Sequence, residues 1–290
     1  MAQLQQQVTA IAEGVVLRRN EQGRDFIEIA HARVSARISL EGAHIVSCVP
    51  AGQRPLLWLS PLEPELPGTP LRGGIPICWP WFGGERPGPA HGIARSSLWT
   101  LQTVTVTEAE VRVCLELPAT AMGQLPPGEH WQLNVEFILG ANLQVSLLTT
   151  NSGTQAQTLG QALHTYLPVS DINLVQVLGL DGCTYRDQLT GEHMHQAGPV
   201  RFGQEVDRVY QGDVGQVALV DPEDRIGIQS SGSHSTVVWN PWRDKALRLG
   251  HFPAEGYLHM LCIESANAGE DVRVLQPGET HRLSARIGRP

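Results

Sequence analysis

The chain has 290 residues and a formal net charge of −8, from 21 basic against 29 acidic side chains, with no Lys/Arg-rich run. That balance argues against nucleic acid as a partner. No segment approaches the roughly 20 apolar residues of a membrane-spanning helix, so no membrane partner is expected. Cys48, Cys78, Cys114, Cys183 and Cys262 are widely spaced with no CxxC pair, which suggests free thiols in a reducing, cytoplasmic setting rather than a disulfide framework or a zinc site.

Charged residues make up 17% of the chain and aromatics 6%, while 30 glycines and 20 prolines suit many strands joined by tight turns. One all-β domain over residues 1–290 is therefore expected, with few short helices. The opening MAQLQQQVTAIAEGVV lacks a basic stretch followed by an apolar run, so no secretory leader is expected. From Val15 to Leu59 the text is strand-like. Val34, Ala36, Ile38 and Leu40 alternate with Ser35, Arg37 and Ser39 until Glu41-Gly42 breaks the period of two.

Pro61 to Pro89 holds eight prolines and two tryptophans, which rules out a regular helix or central strand and predicts a long, stiff, structured loop. Loops of that length are usually functional in compact domains. Alternation returns in Val111 to Leu117, in Leu133 to Leu139 and in Leu143 to Leu147. Gly140-Ala141-Asn142 between the last two reads as the turn of an antiparallel hairpin. Further strands are expected over Gln216–Val220, Ile226–Gln229, Thr236–Trp239 and Tyr257–Glu264. No fixed-period repeat supports a solenoid or propeller, and a large antiparallel sandwich is the best architecture.

Four segments combine ionisable residues with stiff or small neighbours: the run from Arg72 to Gly83, His91-Gly-Ile-Ala-Arg95, His164-Thr-Tyr-Leu-Pro168, and Cys262-Ile-Glu-Ser-Ala-Asn267. Singly, each has a bland reading. His164 can be a core histidine, Glu264 a buried partner of a structural arginine, Arg72 and Arg95 solvated loop residues, and His91 a turn residue beside Gly92. Trp79, Trp81 and Phe82 read as cover for the sandwich edge rather than a substrate wall. Trp239-Asn-Pro-Trp242 reads as a packed corner rather than a sugar-stacking platform.

Together, and in chain order with Glu205-Val206-Asp207, these segments resemble the aldose 1-epimerase superfamily, in particular its hexose-6-phosphate mutarotase branch. The resemblance implies a galactose-mutarotase-like β-supersandwich with an open cleft. It also implies interconversion of the α and β anomers of a hexose 6-phosphate, with Glu264 as general base and His164 as general acid. Arg72, His91, Arg95 and Asp207 match positions that line the substrate cleft, Arg72 and Arg95 being the expected phosphate contacts. Some relatives add a cation before the HG turn; here only Arg86 is available, and that role is not carried over.

The residue types suit this chemistry in their own right, since ring opening removes a proton from the C1 hydroxyl and adds one to the ring oxygen. A carboxylate and an imidazolium supply both transfers, and no metal or other cofactor is required. Nearby carboxylates, Asp207 or Glu264, are expected to hold His164 charged, and partial burial to lift Glu264 toward neutrality. The expected partner is a small-molecule sugar phosphate acting on a monomer.

Other readings are an epimerase of unphosphorylated aldoses, a non-catalytic sugar-binding module, and a cupin-like metal enzyme. The third is disfavoured because His193 and His195 lack a matched downstream ligand set and are expected to face solvent.

Overall fold

A computed structural model describes residues 8–290, so the first seven positions of the expected domain, and of the opening expected to carry no leader, lie outside the described residues. The regular structure of the described residues is almost all antiparallel strand, joined by turns and irregular segments, with two short helices, Ala119–Met122 and Trp242–Ala246. No helix among the described residues is long and apolar enough to cross a membrane.

Period-two patterning accounts for the rear sheet of eight strands. In Trp131–Leu139 the side chains of Leu133, Val135, Phe137 and Leu139 are buried while the residues between them lie nearer solvent. Each such burial stabilises the fold by about 1.5–3 kcal/mol relative to exposure. Leu139 pairs with Leu143 around Gly140-Ala141-Asn142, as the hairpin reading anticipates. The strand-like run from Val15 resolves into Val15–Arg19, Asp25–His31, Val34–Ser39 and His44–Pro50, which form a separate five-stranded meander with Val8–Ala12.

The front sheet carries, in spatial order, His193–His195, Thr184–Asp187, Val206–Gln211, Ser235–Asn240, Met260–Asn267, Gln161–Leu163 and Ile77–Cys78, with Tyr166–Pro168 also paired to Met260–Asn267. Every residue of Met260–Asn267 is buried, because this strand is covered on both faces. Rear and front sheets meet face to face: the hydroxyls of Ser230 and Ser265 are 2.6 Å apart, and Trp79 Nε1 donates to Thr149 Oγ1 at 3.1 Å. The expected strand from Tyr257 starts later. Gly256–His259 form a 3₁₀ turn, whose carbonyl at Tyr257, with that of Met260, accepts from the Asn240 amide at 2.9 Å, and the strand then runs on to Asn267.

The proline-rich segment is irregular except at Ile77–Cys78, which joins the edge of the front sheet. Its shape is fixed from beneath by Arg24, a guanidinium only 1% exposed, which donates to the carbonyls of Leu66 and Thr69 and to Ser39 Oγ and pairs with Glu41 at 3.1 Å. A second anchor is the close approach of the HG turn to Trp79. Trp79 N–H donates to the His91 carbonyl at 3.1 Å and Ile93 N–H to the Trp79 carbonyl at 2.9 Å. Gly92 sits between them at φ +73°, where a Cβ would stand 2.0 Å from the Trp79 oxygen.

Gly52 has the same φ of +73° in open space and isolates the conformational part of this constraint. Gly92→Ala is expected to lower stability by about 2–4 kcal/mol in urea denaturation, strain and overlap combined, and Gly52→Ala by about 1 kcal/mol. Equal effects of the two substitutions would contradict the close-approach account.

Candidate active site

The cleft floor is one face of the front sheet, and strand register decides which side chains reach it. Asp207 lies opposite Trp239 and Val237 opposite Glu264. Because residues two apart share a face, Asp207, Val237, Trp239 and Glu264 all point the same way. Leu163 pairs with Ser265 and Tyr166 with Cys262, which brings His164, between them, level with Glu264. His164 and Thr165 fall in a break between two short strands rather than within one. There His164 N–H donates to Pro76 O at 3.0 Å and Tyr166 N–H to Gly74 O at 2.9 Å, so the proline-rich segment holds the break open.

The same segment builds one wall. Arg72 is fixed through its main chain, its N–H donating to Glu63 Oε2 at 2.7 Å and its carbonyl accepting from Ser60 N–H at 2.9 Å. His91 adopts φ +65°, and its ring meets Phe82 edge-on at 5.0 Å and His164 at 5.8 Å. Arg95 lies on the 3₁₀ turn Ala94–Ser96, with one guanidinium nitrogen donating to Ala90 O at 2.6 Å. All six residues singled out in the sequence (Arg72, His91, Arg95, His164, Asp207 and Glu264) line this one cleft of about 760 Å³. That volume is within the roughly 300–1,000 Å³ of small-molecule sites.

The aromatic residues divide between the two readings. Trp79 and Trp81 are buried cover, whereas Phe82 reaches the cleft wall. Trp239 corrects the packed-corner expectation: it lines the cleft, edge-on to His164 at 5.8 Å, because its register with Asp207 turns it to the open face. Trp242 does pack a corner, against Tyr257. Arg86 pairs with Glu129 at 2.8 Å outside the cleft. His193 and His195 are exposed on an edge strand, and no cluster of three or more His, Cys, Asp or Glu side chains arranged to hold a metal occurs among the described residues.

The His164–Glu264 pair dominates the electrostatics. Nδ1 of His164 stands 3.4 Å from Oε1 of Glu264, the two side chains being 11% and 1% exposed. Burial, reinforced by Asp207, pushes the Glu264 carboxyl well above its ordinary range. Burial, reinforced by the positive potential of Arg95 and Arg72, pushes the His164 imidazole well below its own. The expectation for Glu264 agrees in direction. The expectation that carboxylates hold His164 charged is overturned, because desolvation outweighs the neighbouring carboxylate and the flanking cations oppose it. In the free protein the pair therefore favours its neutral form, with one proton on Glu264.

Three buried polar atoms of this cleft have no hydrogen-bond partner among the described residues: Nε of Arg72, Nδ1 of His164 and Oε2 of Glu264. An unpaired buried polar group costs about 1–3 kcal/mol, and the convergence of three on one cavity is a mark of a ligand site.

The sequence reasoning missed Arg186, Gln188 and Lys245, which line the end of the cleft around Asp207. Arg186 had a legible period-two relation to Gln188. Lys245 had a compositional mark, for it is the only lysine in the chain.

Fold and cleft together define a mutarotase-like β-sandwich. The aldose 1-epimerase family model matches residues 25–288. A protein of Escherichia coli K12 named "putative glucose-6-phosphate 1-epimerase" is 33% identical over 273 residues, covering 92% of this chain and 91% of that protein. One of the same name from Cenchrus ciliaris is 32% identical over 260 residues, covering 85% and 79%. A solved structure from Salmonella typhimurium, named a "putative mutarotase", superposes with a TM-score of 0.89 at 28% identity over 98% of this chain and 96% of that one. The chain belongs to the aldose 1-epimerase family.

Two histidines that fix the proline-rich wall are held neutral by burial. His91 accepts the Gly83 N–H at Nδ1, 3.3 Å away, which leaves its own proton on Nε2; burial, then Arg95 and Arg72, lower it to about 4. His44 donates from Nε2 to the Gly73 carbonyl at 2.7 Å and is lowered to about 3, chiefly by burial. Histidine-selective NMR is expected to show both rings neutral and unchanged from pH 8 to pH 5. A midpoint near the ordinary value for either ring would contradict this electrostatic account.

Proposed function

We propose that the chain interconverts the α and β anomers of a hexose 6-phosphate, glucose 6-phosphate foremost, by acid/base ring opening. The observation that carries this reading is the apposition of His164 and Glu264 on the cleft floor, level across two paired strands and flanked on one side by Arg72 and Arg95. The shared name of the relatives supports the same substrate.

The steps balance with groups the chain itself supplies. Glu264, as carboxylate, takes the proton of the C1 hydroxyl while His164, as imidazolium, gives one to the ring oxygen. The C1–O5 bond breaks and an aldehyde forms. Rotation about C1–C2 presents the other carbonyl face, the O5 hydroxyl returns its proton to His164 as it attacks C1, and Glu264 reprotonates O1. The pair carries one proton throughout. Its neutral form, proton on Glu264, coincides with the ring-opened intermediate, so the burial that favours this form also favours ring opening.

Arg72 and Arg95 receive the phosphate dianion, whose oxygens match the guanidinium fork. The dianion, held by the arginines, also offsets the positive potential that lowers His164 and so favours the imidazolium that ring opening needs. A cytoplasmic site of action belongs to the same proposal, supported by five free cysteines, three of them buried.

Saturation-transfer NMR of anomer exchange tests the reading. Exchange of glucose 6-phosphate is expected to be accelerated far more than that of glucose, and to fall by about 10²–10⁴-fold in His164→Ala and in Glu264→Ala. Its pH profile is expected to be bell-shaped. A second proton on the pair removes the base at low pH, and loss of the single proton removes the acid at high pH. Equal acceleration of glucose would make this an epimerase of unphosphorylated aldoses; no acceleration of any hexose or hexose phosphate would leave a sugar-binding module.

A further inference from the structure

The cleft is polar in its long direction. Arg72, His91 and Arg95 belong to the proline-rich wall, whose strand Ile77–Cys78 is at one edge of the front sheet; four strands along, and two beyond the strand of Glu264, lies a second charged group, Asp207 with Lys245 and Arg186. Lys245 stands on the helix Trp242–Ala246, which starts directly after Pro241 and is tied to the sheet by Trp242 N–H donating to Asn240 Oδ1 at 2.9 Å. Its ammonium lies 2.9 Å from Glu205 Oε1 and 3.7 Å from Asp207 Oδ2, and 5.7 Å from the ring centre of Trp239, whose edge meets His164.

Every other basic side chain among the 21 is arginine. A compact ammonium suits this place, because it bridges two carboxylates from a single point, whereas a planar guanidinium fork favours one carboxylate taken bidentately. The Asp207 carboxylate is in need of such a partner. It is part-buried and lies near Glu205 and Asp187, two further acidic groups that oppose its charge, while Lys245 favours it.

We propose that Lys245 is a positioning residue: its ammonium ties Asp207 to Glu205 and keeps Asp207 an ionised acceptor for sugar hydroxyls at the end of the cleft away from Arg72 and Arg95. The inference rests on the sugar-phosphate reading and adds to it a division of labour, with cations on one flank gripping the phosphate and a lysine-clamped carboxylate on the other gripping the ring. An unclamped Asp207 would take up a proton or turn away, and the sugar would bind less well while the His164–Glu264 chemistry continued.

The test measures kcat and KM for glucose 6-phosphate in the wild type, Lys245→Met, Lys245→Arg, Asp207→Asn and the double variant Lys245→Met/Asp207→Asn. Lys245→Met is expected to raise KM about tenfold with kcat little changed, and Lys245→Arg, which keeps the charge but not the point geometry, to recover only part of the loss. The double variant is expected to match Asp207→Asn, since Lys245 acts through Asp207. A wild-type KM in Lys245→Met, or multiplicative effects in the double variant, would overturn the proposal.

Because Lys245 is the only lysine, chemical modification of the folded wild-type protein provides a check free of folding defects. Acetylation, which removes the charge, is expected to raise KM as Lys245→Met does, and reductive methylation, which keeps it, is not; equal effects would count against the clamp. A wild type inactive toward every hexose phosphate would instead sink the functional reading on which the clamp rests.

Discussion

A carboxyl group 1% exposed, facing an imidazole 3.4 Å away, is the constraint on which the cleft depends. Desolvation disfavours the charged form of both groups, so burial biases the free pair toward its neutral form. A site of this kind holds one mobile proton between two groups of opposed pKa shift, which allows the same pair to donate and accept in turn. The remaining polar features of the cleft bias where that proton sits: Arg95 and Arg72 act on the imidazole, Asp207 on the carboxyl.

The fold serves this pair by fixing its surroundings on rigid elements. Glu264 lies on a strand buried on both faces, and His164 on a strand break whose register is set from either side. The loop that supplies the cationic wall is long and irregular apart from Ile77–Cys78, and it is held by contacts beneath it: the buried Arg24 on the carbonyls of Leu66 and Thr69, and His44 on the carbonyl of Gly73. These anchors stand on the five-stranded meander, which thereby has a part in the site although none of its strands lines it. Cys78 and Cys262, near Glu264, have thiols pushed up by burial and stay protonated.

Much of the sheet was legible because period-two burial is a local property. Leu133 to Leu139 and Leu143 to Leu147 announced a hairpin, and the two strands pair around Gly140-Ala141-Asn142 as read. The strand expected from Tyr257 was displaced because Asn240, distant in sequence, captures the carbonyls of a 3₁₀ turn there. Family resemblance pointed to the six cleft residues, but the charge state of His164 was not legible. It depends on burial and on cations brought in from a loop some 70 to 90 residues away in the chain, and a nearby carboxylate taken alone gives the opposite sign. Lys245 was missed because its relation to Asp207 is set by a helix packed beside the sheet rather than by any spacing.

The most direct measurement is the infrared difference spectrum between wild type and Glu264→Gln at neutral pH, recorded free, with glucose and with glucose 6-phosphate. The account predicts the band of a protonated carboxylic acid in the free protein, retained with glucose and converted to that of a carboxylate when the sugar phosphate binds. A carboxylate band for Glu264 in the free protein would contradict it, since the burial of the pair would then not govern the position of its proton.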